Sequence, residues 1–235
     1  MLPNFLLRIA TYAIYSGMNS GTQDAEISTL WLQAFGVHAV SVPGARSTGN
    51  RQPFLNPHKF DGVLPVLWRE GDDTMYGVPA RSSSLAHVVP EQSLVRAMPK
   101  HGMDVLELRQ FVAGLSNPAM PDAPLIWRDR HTAEIRVQPM ARTALSVQIT
   151  HHRGWKAWSG GHEIPVERDG LGFMVMRPQC SAPCTITLEY DGGPELRWTV
   201  LASAALMLGV AAIVARRFMV ASRGLRYRRE DGNAA

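Results

Sequence analysis

Apolar and polar positions follow three regimes along this chain. The first has a helical period. In residues 24–35, DAEISTLWLQAF, the apolar side chains Ile27, Leu30, Trp31 and Ala34 fall on one face of a 3.6-residue repeat. Asp24 reads as the N-cap of that helix and Gly36 as its stop. Residues 37–42, VHAVSV, read as a buried strand. A loop rich in Pro, Gly and Asn follows over residues 44–62. Residues 64–68, 74–78 and 84–89 read as short strands between turn signals, with Gly71-Asp72-Asp73 as a hairpin turn. Residues 104–115 return to the helical period, with Val105, Leu108, Phe111, Val112 and Leu115 as the apolar side.

The second regime begins after residues 116–124, SNPAMPDAP, where three prolines interrupt any regular element. From there the period is two. The segments AEIRVQP, ALSVQITHH, GFMVMRP and CTITLEYDGG are separated by Gly and Pro turns. That pattern predicts an antiparallel β-sandwich. The third regime is an uncharged stretch over residues 198–215, WTVLASAALMLGVAAIVA. Eighteen residues at helical rise span about 27 Å, near the thickness of a bilayer core. The expected fold class is therefore α+β: a mixed α/β domain over residues 1–120, a β-sandwich over 121–195, a transmembrane helix over 198–215 and a basic tail over 216–235.

Charge changes the picture in one way. The chain carries 24 basic and 20 acidic residues, a formal net charge of +4. Six arginines and two acids lie after Ala215, so the tail alone is 6 − 2 = +4 and the remainder is neutral. A nucleic-acid partner would need basic residues on the folded part, and none is expected. Arginines just past an apolar helix mark the cytoplasmic side and meet anionic headgroups. The expected partner is a lipid bilayer, with the large domain extracytoplasmic on a single-pass anchor in the cell membrane. The amino-terminal MLPNFLLRIATYAIYSG makes a poor secretory signal, because Arg8 sits inside its apolar run. An upstream polytopic portion is one expected source of translocation.

Candidate chemistry is concentrated in two places. Cys180 and Cys184 form a C-x3-C pair around Pro183. In an oxidising compartment such a pair reads as a local disulfide, with two thiols as the alternative. Residues 151–163, HHRGWKAWSGGHE, hold three histidines, two tryptophans and a carboxylate. A metal set would draw on His151, His152, His162 and Glu163, yet adjacent strand residues face opposite ways. A carbohydrate platform would stack a sugar on Trp155 or Trp158. The third reading puts Trp155 in the core, Lys156 and Trp158 on the opposite face, and Gly160-Gly161 at a hairpin tip. No metal or cofactor is expected. Elsewhere, Ser82-Ser83-Ser84 lacks a nucleophile-elbow context, Asp72-Asp73 reads as a solvated turn, and His38 and His87 read as strand residues. No catalytic set is expected.

A resemblance rests on particular residues. Gly154-Trp155-Lys156-Ala157, then Gly161 and Pro165-Val166, is similar to a strand-turn-strand of YfhO-like bacterial membrane proteins. The segments LWLQAFGVHAVSV and LPVLWREGDDTMYGVPARSSSLAHVV resemble that family's helix-strand unit and the strands after it. The resemblance covers most of residues 25–220, and the cysteine pair departs from the family's pattern. It implies the carboxyl-terminal, extracytoplasmic region of a polytopic, glycosyltransferase-type protein. Such proteins carry their catalytic carboxylate in an early loop that this chain lacks. The implied function is a non-catalytic accessory domain. It would be associated with a polytopic membrane protein and a lipid-linked glycan. The alternative is a self-standing envelope module that binds other proteins.

Overall fold

The computed structural model describes residues 4–15, 22–47 and 54–231. They fall into two compact units, divided between Asp191 and Gly192. The first unit is built in layers. Helices α1 (Asn4–Tyr15), α2 (Thr22–Ala34) and α3 (Leu106–Leu115) pack on one face of a four-stranded antiparallel sheet. That sheet contains β4 (Ala86–Pro90), β7 (Thr143–Thr150), β10 (Glu167–Arg168) and β11 (Phe173–Met176), in the order β10-β11-β7-β4. Its other face meets a five-stranded antiparallel sheet ordered β5-β6-β12-β8-β9. Those strands are β5 (Leu125–Trp127), β6 (Thr132–Val137), β8 (Trp155–Ser159), β9 (His162–Ile164) and β12 (Cys184–Tyr190). A three-stranded antiparallel sheet of β1 (Ala39–Val42), β2 (Val66–Glu70) and β3 (Asp73–Gly77), ordered β1-β3-β2, completes the unit. The fold is thus α+β with sandwiched antiparallel sheets, as the hydrophobic pattern predicts.

The sandwich draws on both sides of the proline-rich segment. Strand β4 precedes residues 116–124 yet pairs with β7 along Ala86–Val147 to Pro90–Thr143. Residues before and after 120 therefore share one core. Leu145, Val147, Met174 and Met176 from one sheet meet Ile135, Ile186, Leu188 and Ala157 from the other. Each fully buried aliphatic side chain of this kind contributes about 1.5–3 kcal/mol. On the opposite face, Val89, Phe173 and Val175 meet Trp31, Leu108 and Phe111 of the helices. Helix α1, within the amino-terminal apolar run, joins this layer by burying Ile9, Ala10 and Ala13.

Asp24 is not an N-cap. Helix α2 begins at Thr22, and Asp24 lies inside its first turn, buried. Its carboxylate meets the Lys59 ammonium at 3.4 Å, with the two side chains 3% and 1% exposed. Lys59 also donates to the Ile14 carbonyl and lies 5.4 Å from the Phe60 ring centroid. Burial pulls the Lys59 pKa down, against the pull of Asp24. A buried cation needs such partners, and this need fixes where Asp24 points. The expected loop over 44–62 includes residues 48–53, which lie outside the described residues; Phe54 and Phe60 of that loop are buried.

The second unit is a helix, α4 (Gly193–Asp231). Its portion Gly193–Arg216 is 24 residues long and apolar enough to cross a membrane. At helical rise that is about 36 Å. Trp198, Leu201, Leu206, Met207, Leu208 and Ile213 are all exposed.

Candidate functional site

Strand β12 organises the candidate site, because its two ends differ. It runs from Cys184 to Tyr190, about 20 Å at strand rise. Beside it lies the hairpin β8–β9. Gly160 and Gly161, at φ +56° and +82°, form the two-residue turn that pairs Ser159 with His162. Two successive positive φ values are what a tight hairpin of this length requires, and glycine adopts them without a Cβ clash.

The register sets each side chain's face. Tyr190 pairs with Trp155, Leu188 with Ala157, and Thr187 with Trp158. Trp155 and Ala157 therefore share the inner face with Leu188, and Lys156 and Trp158 share the outer one. Trp155 is partly buried and packs against the sandwich core. Its ring centroid lies 5.0 Å from Tyr190 and 6.2 Å from Trp127. Trp158 is also partly buried, on the outer face opposite Glu163. The sheet lies between the two indoles, so they do not make one platform. The segment's histidines are likewise divided along the strand. His151 and His152 precede β8, whereas His162 opens β9 beyond the turn. Among the described residues no group of three or more His, Cys, Asp or Glu is placed to hold a metal ion.

At the Cys184 end the two cysteines are bonded, with Cα atoms 6.4 Å apart. They form part of the wall of a cleft of about 790 Å³. Ser159, His162 and Glu163 from the hairpin, Arg177 and Gln179 from the segment after β11, and Thr185 of β12 line the rest. Ser159 Oγ lies 4.0 Å from Cys180 Sγ. Arg177 is held from behind. Its guanidinium donates to both oxygens of Glu91 and, at 2.7 Å, to Glu167. The Glu91 carboxylate, joined by Glu167, raises the already high Arg177 pKa. The cleft thus combines a fixed cation, a carboxylate, an imidazole, an amide and two hydroxyls. That set suits a polar ligand rich in hydroxyl groups.

At the Tyr190 end the sheet closes on loops. Tyr190 N–H donates to the His131 carbonyl, and Asp191 N–H to that of Gly154. Lys156 pairs with Asp191 at 3.5 Å. In the four-stranded sheet the turn 169–172 lies at this same end, because His151 N–H donates to the Gly172 carbonyl. Asp169 accepts from Phe173 N–H at 2.8 Å, while its Oδ2 is buried without a hydrogen-bond partner among the described residues. Burial pushes the Asp169 pKa up to about 6.

Asp72, Asp73, Ser84 and His87 have structural partners, whereas His38 is exposed and precedes β1 instead of lying within a strand. Asp72 and Asp73 receive the backbone N–H groups of Arg46 and Gly44, each at 2.8 Å, and so fasten the loop after β1. Ser84 Oγ donates to the Ala123 carbonyl and accepts from Ala86 and Leu125 N–H. His87 is buried against Gln148 at 3.1 Å, and burial holds its pKa down. Sequence reasoning missed Arg177, Gln179 and Thr185, which stand near the cysteines in the chain but carry no motif. It also missed Trp127, which ends a three-residue strand just after Pro124. Comparison with protein-family models, with curated proteins and with solved structures gave no match.

Proposed function

We propose that this chain is a membrane-anchored accessory protein that acts by binding. Its folded unit stands on the extracytoplasmic side, its arginine-rich tail in the cytoplasm. Its cleft receives a lipid-linked glycan, or the polytopic partner that handles one, in a YfhO-like, glycosyltransferase-type system. The observation that carries this reading is the order of features along β12. The strand leads from the cleft at Cys184 to Tyr190, and a helix of membrane-spanning length begins three residues later. Arginines after the span support the orientation. A disulfide in the cleft wall supports an oxidising compartment.

The test places a photo-crosslinking residue at Glu163, in the cleft wall, in membranes of the native host. Capture of a glycan-bearing lipid or a polytopic membrane protein is the expected result. Capture of soluble envelope proteins alone would favour the self-standing protein-binding module instead. Protease added to intact spheroplasts should degrade residues 1–191. Full protection of that unit would reverse the orientation.

A further inference from the structure

Arg81 and His87 line one small pocket of the folded unit, of about 20 Å³, between the end of α2, the segment before β4, and β7. Arg81 Nη2 and His87 Nδ1 are both buried there without a hydrogen-bond partner among the described residues. The rest of each side chain is fixed. Arg81 donates from Nε to the Leu115 carbonyl, and from Nη1 to the Met120 carbonyl and the Asp122 carboxylate. His87 is only 5% exposed and meets Gln148 Oε1 through Nε2 at 3.1 Å. Buried polar atoms are rarely left unmatched, so two at one pocket mark a place for a bound species.

The surrounding hydrogen bonds decide which ring nitrogen takes up a proton. Gln148 uses both amide protons on the Gln33 and Ala34 carbonyls, at 3.0 and 2.9 Å. Its Oε1 is therefore the acceptor, and His87 Nε2 carries the hydrogen of the neutral ring. Nδ1 is then bare and is the atom that protonates. Asp122, whose backbone bridges to that of His87, pairs with Arg81 at 3.0 Å. With His87 neutral these two charges balance. A proton on Nδ1 leaves one positive charge over, with His38 as the other titratable neighbour at the pocket. Helix α2 contributes Gln33, α3 contributes Val112 and Leu115, and β7 contributes Gln148, so these elements bring no further charge to it. Burial works against the proton, aided by the Arg81 and His38 charges, and an anion beside the ring works for it. The pocket has room for one sphere of water or halide size and none for sulfate or phosphate.

We propose that Arg81 Nη2 and His87 Nδ1 form a binding site for one halide-sized anion, chloride in class, which enters together with a proton on His87. His38, Pro79 and Ala80 at the rim are exposed and mark its way in. The site shares no lining residue with the cleft beside Cys184 and does not depend on the membrane span.

The test follows the histidine Cε1–H resonances of the detergent-solubilised full chain by NMR across a pH titration. Sodium chloride is compared with sodium gluconate at equal ionic strength. His87 is identified as the resonance missing from His87→Gln and, in the unaltered chain, by its through-space contact with the Gln148 side chain. Its titration midpoint should be higher in chloride. It should rise by about one pH unit for each tenfold increase in chloride above the dissociation constant, as one anion per proton requires. His162, in the exposed hairpin, should titrate alike in both salts. Arg81→Lys keeps the charge but lacks Nη2, and should remove the chloride dependence. The same His87 midpoint in both salts, the behaviour of a pocket that holds only water, overturns the site. So does an equal chloride effect on His162. Chloride dependence retained in Arg81→Lys overturns the part assigned to Arg81. Should Arg81→Lys not fold, the two titrations of the unaltered chain still decide.

Discussion

The two ends of β12 are made by the same strands and carry opposite chemistry. At the Cys184 end the chain leaves the core through Arg177, Gln179 and the bonded cysteines, and a polar cleft of about 790 Å³ opens there. At the Tyr190 end the inner face carries on outward as Trp155, Tyr190 and Trp127, a surface of packed rings. The sheet pairing is regular throughout. The difference arises from the side chains placed beyond the last core position at each end. Cys, Arg and Gln leave polar atoms that need partners or solvent, whereas Trp and Tyr extend the apolar face past its cover. One sheet thus carries a polar cleft at one end and packed aromatic rings at the other.

Substitutions along β12 test whether the ends are separable. The largest effect should come from the middle. Leu188 is fully buried between the sheets, so Leu188→Ala should cost about 2–5 kcal/mol. Chemical denaturation of the detergent-solubilised chain measures it, and both ends should lose structure together. Trp155→Ala should cost about 2–4 kcal/mol, the lower part of the range for large-to-small core changes, because its ring is only partly buried. A wild-type melting temperature for that variant would remove Trp155 from the core and make it a ligand contact.

The disulfide should matter next, and only at its own end. Cys180 and Cys184 are four positions apart, and closing so short a loop stabilises by about 2 kcal/mol in the chain-entropy view. Cys180→Ser with Cys184→Ser should lower the denaturation midpoint accordingly. It should also loosen amide exchange around residues 177–185 while leaving residues 150–156 unchanged. Spread of that loosening to the Tyr190 end would show that the ends are coupled.

A pH response should sit at the Tyr190 end. Asp169 has its pKa raised from 3.8 to about 6 by burial, so the folded state holds a proton that the unfolded chain releases in that window. The contribution of Asp169 to stability should therefore fall as pH rises from about 4 to about 6 and level off above. The change should be on the order of 1–2 kcal/mol, allowing for the turn's contact with solvent. Asp169→Asn keeps an acceptor for Phe173 N–H and should remove that contribution, so the difference between the two pH profiles isolates it. An unaltered slope in that variant would assign the dependence elsewhere. Trp158→Ala, on the outer face, should change stability by less than about 1 kcal/mol and act on binding if Trp158 is a ligand contact.

Much of the fold is legible in the residue pattern, and its misreadings have causes. The period-two segments 132–137, 143–150 and 184–190 are strands because one face of each meets the other sheet. The same alternation places Ser146 and Gln148 on a face that would be wet in a two-layer sandwich. Both are buried, because helices cover that face; Gln148 Nε2 donates to the Gln33 and Ala34 carbonyls at the end of α2. Periodicity reports a face's polarity but not a third layer that covers it. The joining of β4 to β7 is likewise hidden, because the pairing spans the proline-rich segment. The hairpin tip at Gly160-Gly161 and the opposite faces of Trp155 and Trp158 are readable locally. The cleft is not, since Glu91 and Arg177 meet across 86 positions and no spacing rule announces that contact.

Tethering of the folded unit to a membrane through α4 is the central claim. Alkaline carbonate extraction of membranes bearing the full chain, beside a version that stops after Asp191, tests it directly. The full chain should stay in the membrane pellet and the shortened one should pass to the supernatant. Extraction of the full chain into the supernatant would contradict the claim.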